Sequence, residues 1–159
     1  NILILIQTHG VNPSYLPPPK LWDILKKGEI RFPLDLRNEI IEIDTQEWQI
    51  TRRFETGKAP YNLEVTTDGN KLVVSYKGEG STGVWDLESG EELAKLSNSR
   101  RVSHGVTISP DSKFAFISVE GIGGEPGSVD VINLEKLEVV DFVETGKQAG
   151  GIYFWKMEN

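Results

Sequence analysis

The chain contains no cysteine among its 159 residues. This absence excludes disulfide bonds, thiolate metal sites and catalysis by a cysteine nucleophile. Because exported bacterial proteins and cytosolic proteins can both lack cysteine, it does not distinguish between compartments.

Basic residues and long apolar runs are also scarce. The 17 Lys and Arg residues against 24 Asp and Glu give a net charge of −7, whereas a broad nucleic-acid interface needs a basic excess. The longest apolar run near the N-terminus, residues 2–6, is too short to span a membrane or to form a complete signal sequence. Its Ile and Leu residues predict a strand buried on both faces.

What the sequence does contain is an internal repeat. Residues 65–75 read VTTDGNKLVVS, and residues 108–118, placed 43 residues later, read ISPDSKFAFIS. Flanking segments repeat as well: VWDLE at 84–88 with VINLE at 131–135, and FETGK at 54–58 with VETGK at 143–147. A period of about 40–45 residues with four short strands in each unit is typical of β-propeller blades. The sequence therefore predicts an all-β fold.

The repeat predicts two complete four-stranded blades and parts of others, separated by turns rich in Asp, Gly and Asn. Residues 1–38 are interpreted as an N-terminal region with a strand over 1–8, a Pro-rich segment and a short helix over 20–27, and residues 39–159 as the blades. The predicted strands are 39–44, 48–54, 61–66, 71–76, 82–87, 91–96, 104–109, 113–118, 128–133, 138–143 and 150–155.

Strands between neighbouring blades pack on both faces, so their apolar residues are expected to be buried. The residues expected in these cores are Leu72, Val74, Val84, Phe114, Phe116, Val131 and Leu134.

The number of strands bears on how a ring could close. Propellers need about 4–8 blades. We therefore expect the chain to be the C-terminal part of a larger, for example seven-bladed, propeller, an open array, or a partial ring that oligomerises. Apolar strand edges left open recruit other chains, so self-association is expected of the fragment.

The repeat unit resembles the YVTN-type β-propeller repeat family over about residues 39–155. The likeness rests on Gly57-Lys58-Ala59-Pro60, on the turn Ser109-Pro110-Asp111, and on the strand that starts at Val84 and includes Asp86. The literal Tyr-Val-Thr-Asn is absent, and Ala149 stands where the earlier copy has Pro60. The dipeptide Trp85-Asp86 is also typical of the tryptophan–aspartate repeat, but its Trp is not repeated in the other copies.

The resemblance implies a non-catalytic propeller that binds a ligand or scaffolds a protein partner, in a periplasmic or extracellular compartment of a bacterium, without a cofactor. The alternative is part of a propeller enzyme or redox accessory subunit, because the related propellers include dehydrogenase subunits and lactone hydrolases. A converging acid–base set or a cofactor at the channel mouth would favour this alternative.

Four residues form the predicted ligand site. Tyr61 and His104 occupy equivalent positions at the starts of innermost strands, Arg101 precedes His104, and Lys147 leads into the last predicted strand. Such starts face one end of a propeller channel, so together these mouth residues could bind an anionic small molecule or a protein partner. The alternative is that Tyr61 and His104 only make ordinary hydrogen bonds at strand ends.

Other candidate sites are given a structural interpretation. The repeated Asp68 and Asp111 are predicted to stabilise turns. A histidine metal site is not expected, because His9 is the only other histidine and lies far from His104 in sequence. The Gly-rich loop 121–127 has no following helix and is predicted to be a flexible surface loop.

Overall fold

The computed structural model describes residues 2–7, for which only the backbone is considered, and residues 38–156. This part of the chain is all-β, as predicted, with eleven strands in three antiparallel sheets and no helix. Consequently, the described residues contain no helix that could cross a membrane. The Pro-rich segment and the helix predicted over 20–27 lie outside the described residues.

The three sheets follow one another along the chain. The first contains β1 (Ile2–Gln7), β2 (Glu39–Asp44) and β3 (Gln49–Glu55), in that spatial order. The second contains β4 (Pro60–Val65), β5 (Lys71–Tyr76), β6 (Ser81–Asp86) and β7 (Glu92–Ser97), also in sequence order. The third contains β8 (Val102–Ile108), β9 (Phe114–Glu120), β10 (Ser128–Asn133) and β11 (Glu138–Glu144), again side by side.

The strands of the repeat match the sequence prediction, with ends that move by one or two residues. The predicted strand near the N-terminus also forms, but it pairs with β2, with Ile2 opposite Asp44 and Gln7 opposite Glu39. It therefore belongs to the first sheet.

The repeated aspartates stabilise turns, in agreement with their structural interpretation. Asp68 accepts hydrogen bonds from the Thr66 hydroxyl at 2.6 Å and the Asn70 amide at 3.1 Å. Asp111 accepts the equivalent bonds from the Ser109 hydroxyl at 2.5 Å and the Lys113 amide at 3.2 Å. These donors stabilise the charged form and lower the pKa of both carboxyl groups.

The second sheet is buried between its two neighbours. Alternate β5 side chains contact opposite sheets: Leu72 and Val74 pack towards Ile40 of the first sheet, and Val73 packs towards Ile117 of the third. This period of two is the pleat of a strand, and both faces of β5 are buried because a sheet covers each.

The third sheet has one covered face and one open face. The prediction of burial is confirmed for Leu72, Val74, Val84 and Leu134, but it is wrong for Phe114, Phe116 and Val131, which are half-buried. These three residues lie on β9 and β10, where no further sheet of the described chain covers them. Farther out, β11 leaves Val140, Phe142 and Val143 exposed.

The prediction of a strand over 150–155 is wrong, because this segment forms no strand ladder. It nevertheless lies against the third sheet. The Phe154 amide donates to the Thr107 hydroxyl oxygen at 3.1 Å, and the Phe154 ring lies 5.9 Å from that of Phe116. A ladder needs a neighbouring strand, and the described chain supplies none at this place.

Candidate functional site

The site predicted around Tyr61 and His104 is shaped by two β-bulges. Pro60 pairs with Tyr76 and Asn62 pairs with Ser75, so Tyr61 is an extra residue without a partner on β5. A comparable irregularity falls at His104 in β8. Bulges bend a strand and redirect side chains, and they are frequent beside functional sites.

The two bulges bring Tyr61 and His104 together. Their ring centroids are 4.8 Å apart and the ring planes cross at 71°, an edge-to-face arrangement. Tyr61 is 47% exposed, so this aromatic pair is open to solvent on one side. The approach of these two residues, expected from their equivalent sequence positions, is therefore present.

A buried serine ties the two bulges to each other. The Ser75 hydroxyl oxygen accepts a hydrogen bond from the Asn62 amide at 3.1 Å and donates one to the main-chain carbonyl of His104 at 2.6 Å. One side chain therefore links the bulge of β4 to that of β8. The repeat supplies an equivalent residue, Ser118, which accepts from the Gly105 amide at 2.8 Å and donates to the Gly150 carbonyl.

The imidazole of His104 is oriented by a carboxylate. Its Nε2 atom lies 2.9 Å from Oε2 of Glu120, and the side chains are 15% and 25% exposed. A protonated His104 therefore has an ion-pair partner, and a neutral one can donate the same hydrogen bond. The contact fixes the ring plane that meets Tyr61.

The Lys77 ammonium lies over the ring of Tyr61, the second member of the aromatic pair. The Lys77 Nζ atom lies 4.4 Å from the centroid of the Tyr61 ring, within the range of a cation–π contact. The turn that carries Lys77 is held in place, because its amide donates to the Ala59 carbonyl at 2.9 Å and the Gly78 amide donates to the Lys58 carbonyl at 3.1 Å.

Two of the predicted mouth residues, Arg101 and Lys147, do not join this cluster. The backbone of Arg101 packs against Gly80, at the end of the turn that carries Lys77. Lys147 lines a separate cleft of about 350 Å³ together with Ser118 and Gly150. Within the described residues, no hydrogen bond, ion pair or ring contact joins Arg101 or Lys147 to Tyr61 or His104.

Sequence reasoning missed Lys77 and Glu120. A signal for Glu120 existed, since the residue ends β9 and pairs with Val102, two positions before His104. Lys77 directly follows β5, which is the partner strand of the Tyr61 bulge. Both residues could have been found by asking which charged side chains stand at the same edge of the sheet.

Another cleft lies at the opposite end of the sheets. It has a volume of about 960 Å³ and includes Leu63, Val65 and Asn70, whereas Tyr61 stands at the start of β4. Its arginine, Arg52, already pairs with Glu42 and donates to the Leu87 carbonyl at 2.6 Å. These contacts join the first and second sheets, so we regard this cleft as a structural junction.

The polar groups of the described residues do not converge on a metal. Among residues 38–156, no group of three or more His, Asp or Glu residues could hold an ion. Burial raises the pKa of Glu64, and the Ile108 amide and the Thr107 side chain offset part of this rise.

Comparisons with known proteins show the fold. No protein-family model and no curated protein matches the sequence. Among solved structures, hydrazine synthase of Kuenenia stuttgartiensis is similar, with a TM-score of 0.63, 24% identity, and coverage of 70% of this chain and 31% of that one. U3-55K is also similar, with a TM-score of 0.61, 14% identity, and coverage of 70% and 34%. Both contain propeller-type folds, and this chain spans about a third of their length, so the likeness shows a β-propeller-like fold.

Proposed function

We propose that this chain is a non-catalytic β-propeller scaffold that binds an anionic group at the edge formed by Tyr61, Lys77, His104 and Glu120. The observation that carries the proposal is the Tyr61–His104 pair, in which Tyr61 is exposed, His104 is held by Glu120, and the Lys77 ammonium lies over the Tyr61 ring. A fixed aromatic surface next to cations suits a planar or compact anion such as a carboxylate or phosphate.

The charge at this edge supports an anionic ligand although the chain as a whole is acidic. Glu120 is engaged by His104, and Glu79 of the same turn is engaged by Lys95 at 3.2 Å. By contrast, the Lys77 ammonium lies over the Tyr61 ring, and neither Lys77 nor the nearby Arg101 has a carboxylate partner among the described residues. The positive charges are therefore less neutralised here than the acidic ones.

The sheets are interpreted as two complete four-stranded blades and parts of two others, from a larger propeller of the YVTN type. The repeat of about 43 residues, the matching turns and the equivalent Ser75 and Ser118 bridges support this interpretation. The resemblance also motivates the proposal of a periplasmic or extracellular bacterial protein, and a protein partner in place of a small anion.

The chain offers a direct binding test because it has only two histidines, His9 and His104. Citrate and inorganic phosphate are added to the labelled protein, and the imidazole signals are followed by NMR. The proposal expects the His104 signal to shift with saturation and the His9 signal to stay in place. The variants Lys77→Gln and Arg101→Gln should each weaken binding by about threefold to tenfold, as expected for one charge-assisted hydrogen bond at a partly exposed site.

The matched control is Lys136→Gln. Lys136 lies on the turn between β10 and β11, its side chain is 68% exposed, and it pairs only weakly with Glu138 at 3.7 Å. Equal loss of binding in Lys136→Gln and Lys77→Gln would show a general charge effect. Equal shifts of the two histidine signals, or no shift of either, would contradict an anion site at this edge.

One observation favours the alternative of a propeller enzyme. A similar solved structure, hydrazine synthase, is by its name an enzyme. The identity of 24% supports a shared fold and leaves the activity of this chain a proposal. The alternative would gain support if the parent chain performed a turnover that His104→Ala and Glu120→Gln abolished. The same two variants would have to bind citrate or phosphate as well as the parent chain does.

A further inference from the structure

Asp130 of β10 is fully buried, and all of its hydrogen-bond partners are uncharged. Its Oδ2 atom accepts from the Ser99 amide at 2.7 Å and from the Asn98 side-chain amide at 3.1 Å. The hydroxyls of Ser99 and Ser128 bond Oδ1, the latter at 3.1 Å. No Lys, Arg or His among residues 38–156 forms an ion pair with Asp130. A buried carboxyl group without a counter-charge is costly, so its presence calls for a reason.

These bonds join the third sheet to the connection between β7 and β8. Asn98 directly follows β7, and its Oδ1 atom accepts from the Thr82 hydroxyl at 3.0 Å and from the Ser103 hydroxyl at 2.7 Å. Asp130 sets the orientation of the Asn98 amide, because Nδ2 faces Asp130 while Oδ1 faces the two hydroxyls. Ser103 is fully buried and directly precedes His104 in β8. A continuous chain of hydrogen bonds therefore runs from Asp130 to the residue beside the His104 bulge.

The other two sheets have no carboxyl group at the position of Asp130. The turn after the equivalent strand is capped in the same way in all three sheets, by Oδ1 of Asp44, Asp86 and Asn133. Counting back three residues from each cap gives Ile41, Gly83 and Asp130. A sheet of this repeat therefore folds with an aliphatic side chain or with no side chain at this position. The buried carboxyl group belongs to the third sheet alone and is not required by the repeat.

The position of Asn98 departs from the repeat as well. Thr56, Asn98 and Thr145 are equivalent, because the amide of each donates to the carbonyl of the residue just before β2, β6 or β10. The hydroxyls of Thr56 and Thr145 bond the carbonyl of the next residue, at 3.0 and 3.3 Å. Of the three side chains, only that of Asn98 bonds to the following sheet. Both departures fall at the junction of the second and third sheets, where Tyr61 and His104 meet.

We propose that Asp130 is a positioning residue of the candidate anion site: through Asn98 and Ser103 it fixes the backbone that carries His104. The Ser99 amide and the Asn98 NH2 group can only donate, so both need an acceptor at the place of Oδ2. One acceptor held by β10 therefore decides where the connection between β7 and β8 lies. The inference rests on the proposed function only for its binding measurement, since the hydrogen-bond network stands independently of any ligand.

The test compares Asp130→Ala with the conservative variant Asp130→Asn. Asp130→Ala removes the acceptor, whereas Asp130→Asn keeps an oxygen that can take the place of Oδ2. The His104 imidazole signal is recorded by NMR without ligand, and phosphate binding is then measured by titration. We expect Asp130→Ala to shift the His104 signal and to weaken phosphate binding about threefold to tenfold. Asp130→Asn should return both the signal and the binding close to those of the parent chain.

The matched control is Ile132→Ala, two residues further along β10. Ile132 is fully buried, packs in the apolar cluster that contains Ile117, and pairs with Ala115. Its truncation lowers stability by leaving a cavity but touches no part of the hydrogen-bond network. The control should therefore keep the His104 signal and the phosphate affinity of the parent chain. A shift of the His104 signal in Ile132→Ala as large as that in Asp130→Ala would overturn the proposal, because any loss of stability would then disturb the site.

Ser103→Ala decides the question if Asp130→Ala does not fold. It removes only the last link of the chain, the hydroxyl that donates to Asn98, and should also shift the His104 signal. Where both variants fold, Asp130→Ala combined with Ser103→Ala should shift the signal no further than Asp130→Ala alone, because both interrupt one network. Additive shifts, or a His104 signal that stays in place in both single variants, overturn the proposal.

Failure of the proposed function would look different from failure of this inference. If phosphate bound neither the parent chain nor the variants, the anion site would be contradicted. The ligand-free His104 signals of Asp130→Ala, Asp130→Asn and Ile132→Ala would still decide whether Asp130 positions His104.

Discussion

The hydroxyl of Ser75 donates to the main-chain carbonyl of His104 at 2.6 Å, and this bond crosses from the second sheet to the third. The same oxygen accepts from the Asn62 amide at 3.1 Å, next to Tyr61. A single buried side chain therefore sets the relative position of the two bulges that hold the aromatic pair.

We expect Ser75→Ala to destabilise the protein and to loosen the Tyr61–His104 pair. The substitution leaves the Asn62 amide and the His104 carbonyl without this partner, a loss of about 1–3 kcal/mol for buried polar groups. Urea unfolding measures the free energy, and the His104 imidazole signal reports the ring contact. The control is Ser97→Ala, an exposed serine at the end of β7. Equal stability of Ser75→Ala and Ser97→Ala would show that the bridge contributes nothing.

Neighbouring residues on β9 should differ in their contribution to stability. Ile117 is fully buried between the second and third sheets, so Ile117→Ala should cost about 2–5 kcal/mol. Phe116 points to the open face of the third sheet and is half-buried. Truncation of a core phenylalanine to alanine typically costs about 3–5 kcal/mol, and Phe116→Ala should cost less. Both values come from denaturant unfolding at one protein concentration. A larger loss for Phe116→Ala would mean that another sheet covers this face in solution.

Gly83 should not tolerate a side chain. A Cβ atom at this position would lie 2.1 Å from the Tyr76 hydroxyl oxygen and 2.5 Å from Oε1 of Glu92. The Tyr76 hydroxyl is held there, because it donates to Glu92 at 2.7 Å and accepts from the Trp85 indole at 2.8 Å. Gly83→Ala should therefore cost about 1–3 kcal/mol by overpacking.

The matched control for this prediction is Gly124→Ala, because a Cβ atom there would meet nothing within 4 Å. The two variants are compared by thermal and urea unfolding. If Gly83→Ala melted together with Gly124→Ala, the Tyr76 hydroxyl network would be able to move aside at no cost.

Stability should fall in acid. The pKa of Glu42 is lowered by the hydrogen bond from Arg52, and the pKa values of Asp68 and Asp111 are lowered by their hydroxyl donors. Carboxyl groups with lowered folded-state pKa values contribute stability above their ordinary values, 4.5 for Glu and 3.8 for Asp. This contribution is lost as the pH falls through the folded-state values. Glu64 opposes this trend, because burial raises its pKa. Its contribution to the free energy of unfolding therefore becomes more favourable as the pH falls.

The test of the acid prediction is the urea midpoint measured from neutral pH downwards. We expect little change to about pH 5 and a steady decrease below the ordinary pKa of Glu. Glu42→Gln should flatten this decrease and reduce stability at neutral pH, since it removes a partner of Arg52. A midpoint that rises towards acid would show that buried groups such as Glu64 dominate.

The sequence predicted the elements that depend on local chemistry. The apolar alternation of β5 and β9 follows from the pleat, and the turn at Asp68 recurs at Asp111 because the same side chains bond the same amides. The repeat also placed Tyr61 and His104 at equivalent positions, from which their proximity could be inferred.

Tertiary structure decided what depends on neighbours in space. Phe116 was expected in a core because its strand pattern matches that of β5, but its burial depends on whether another sheet packs on that face. Segment 150–155 has the pattern of a strand, yet a strand requires hydrogen-bonding partners, which the described chain does not supply there. Likewise, Lys77 and Glu120 joined the site only because folding brought their strand ends to one edge. The repeated residues are evident in the sequence alone, whereas the packing of the sheets sets which of them are covered, paired or left open.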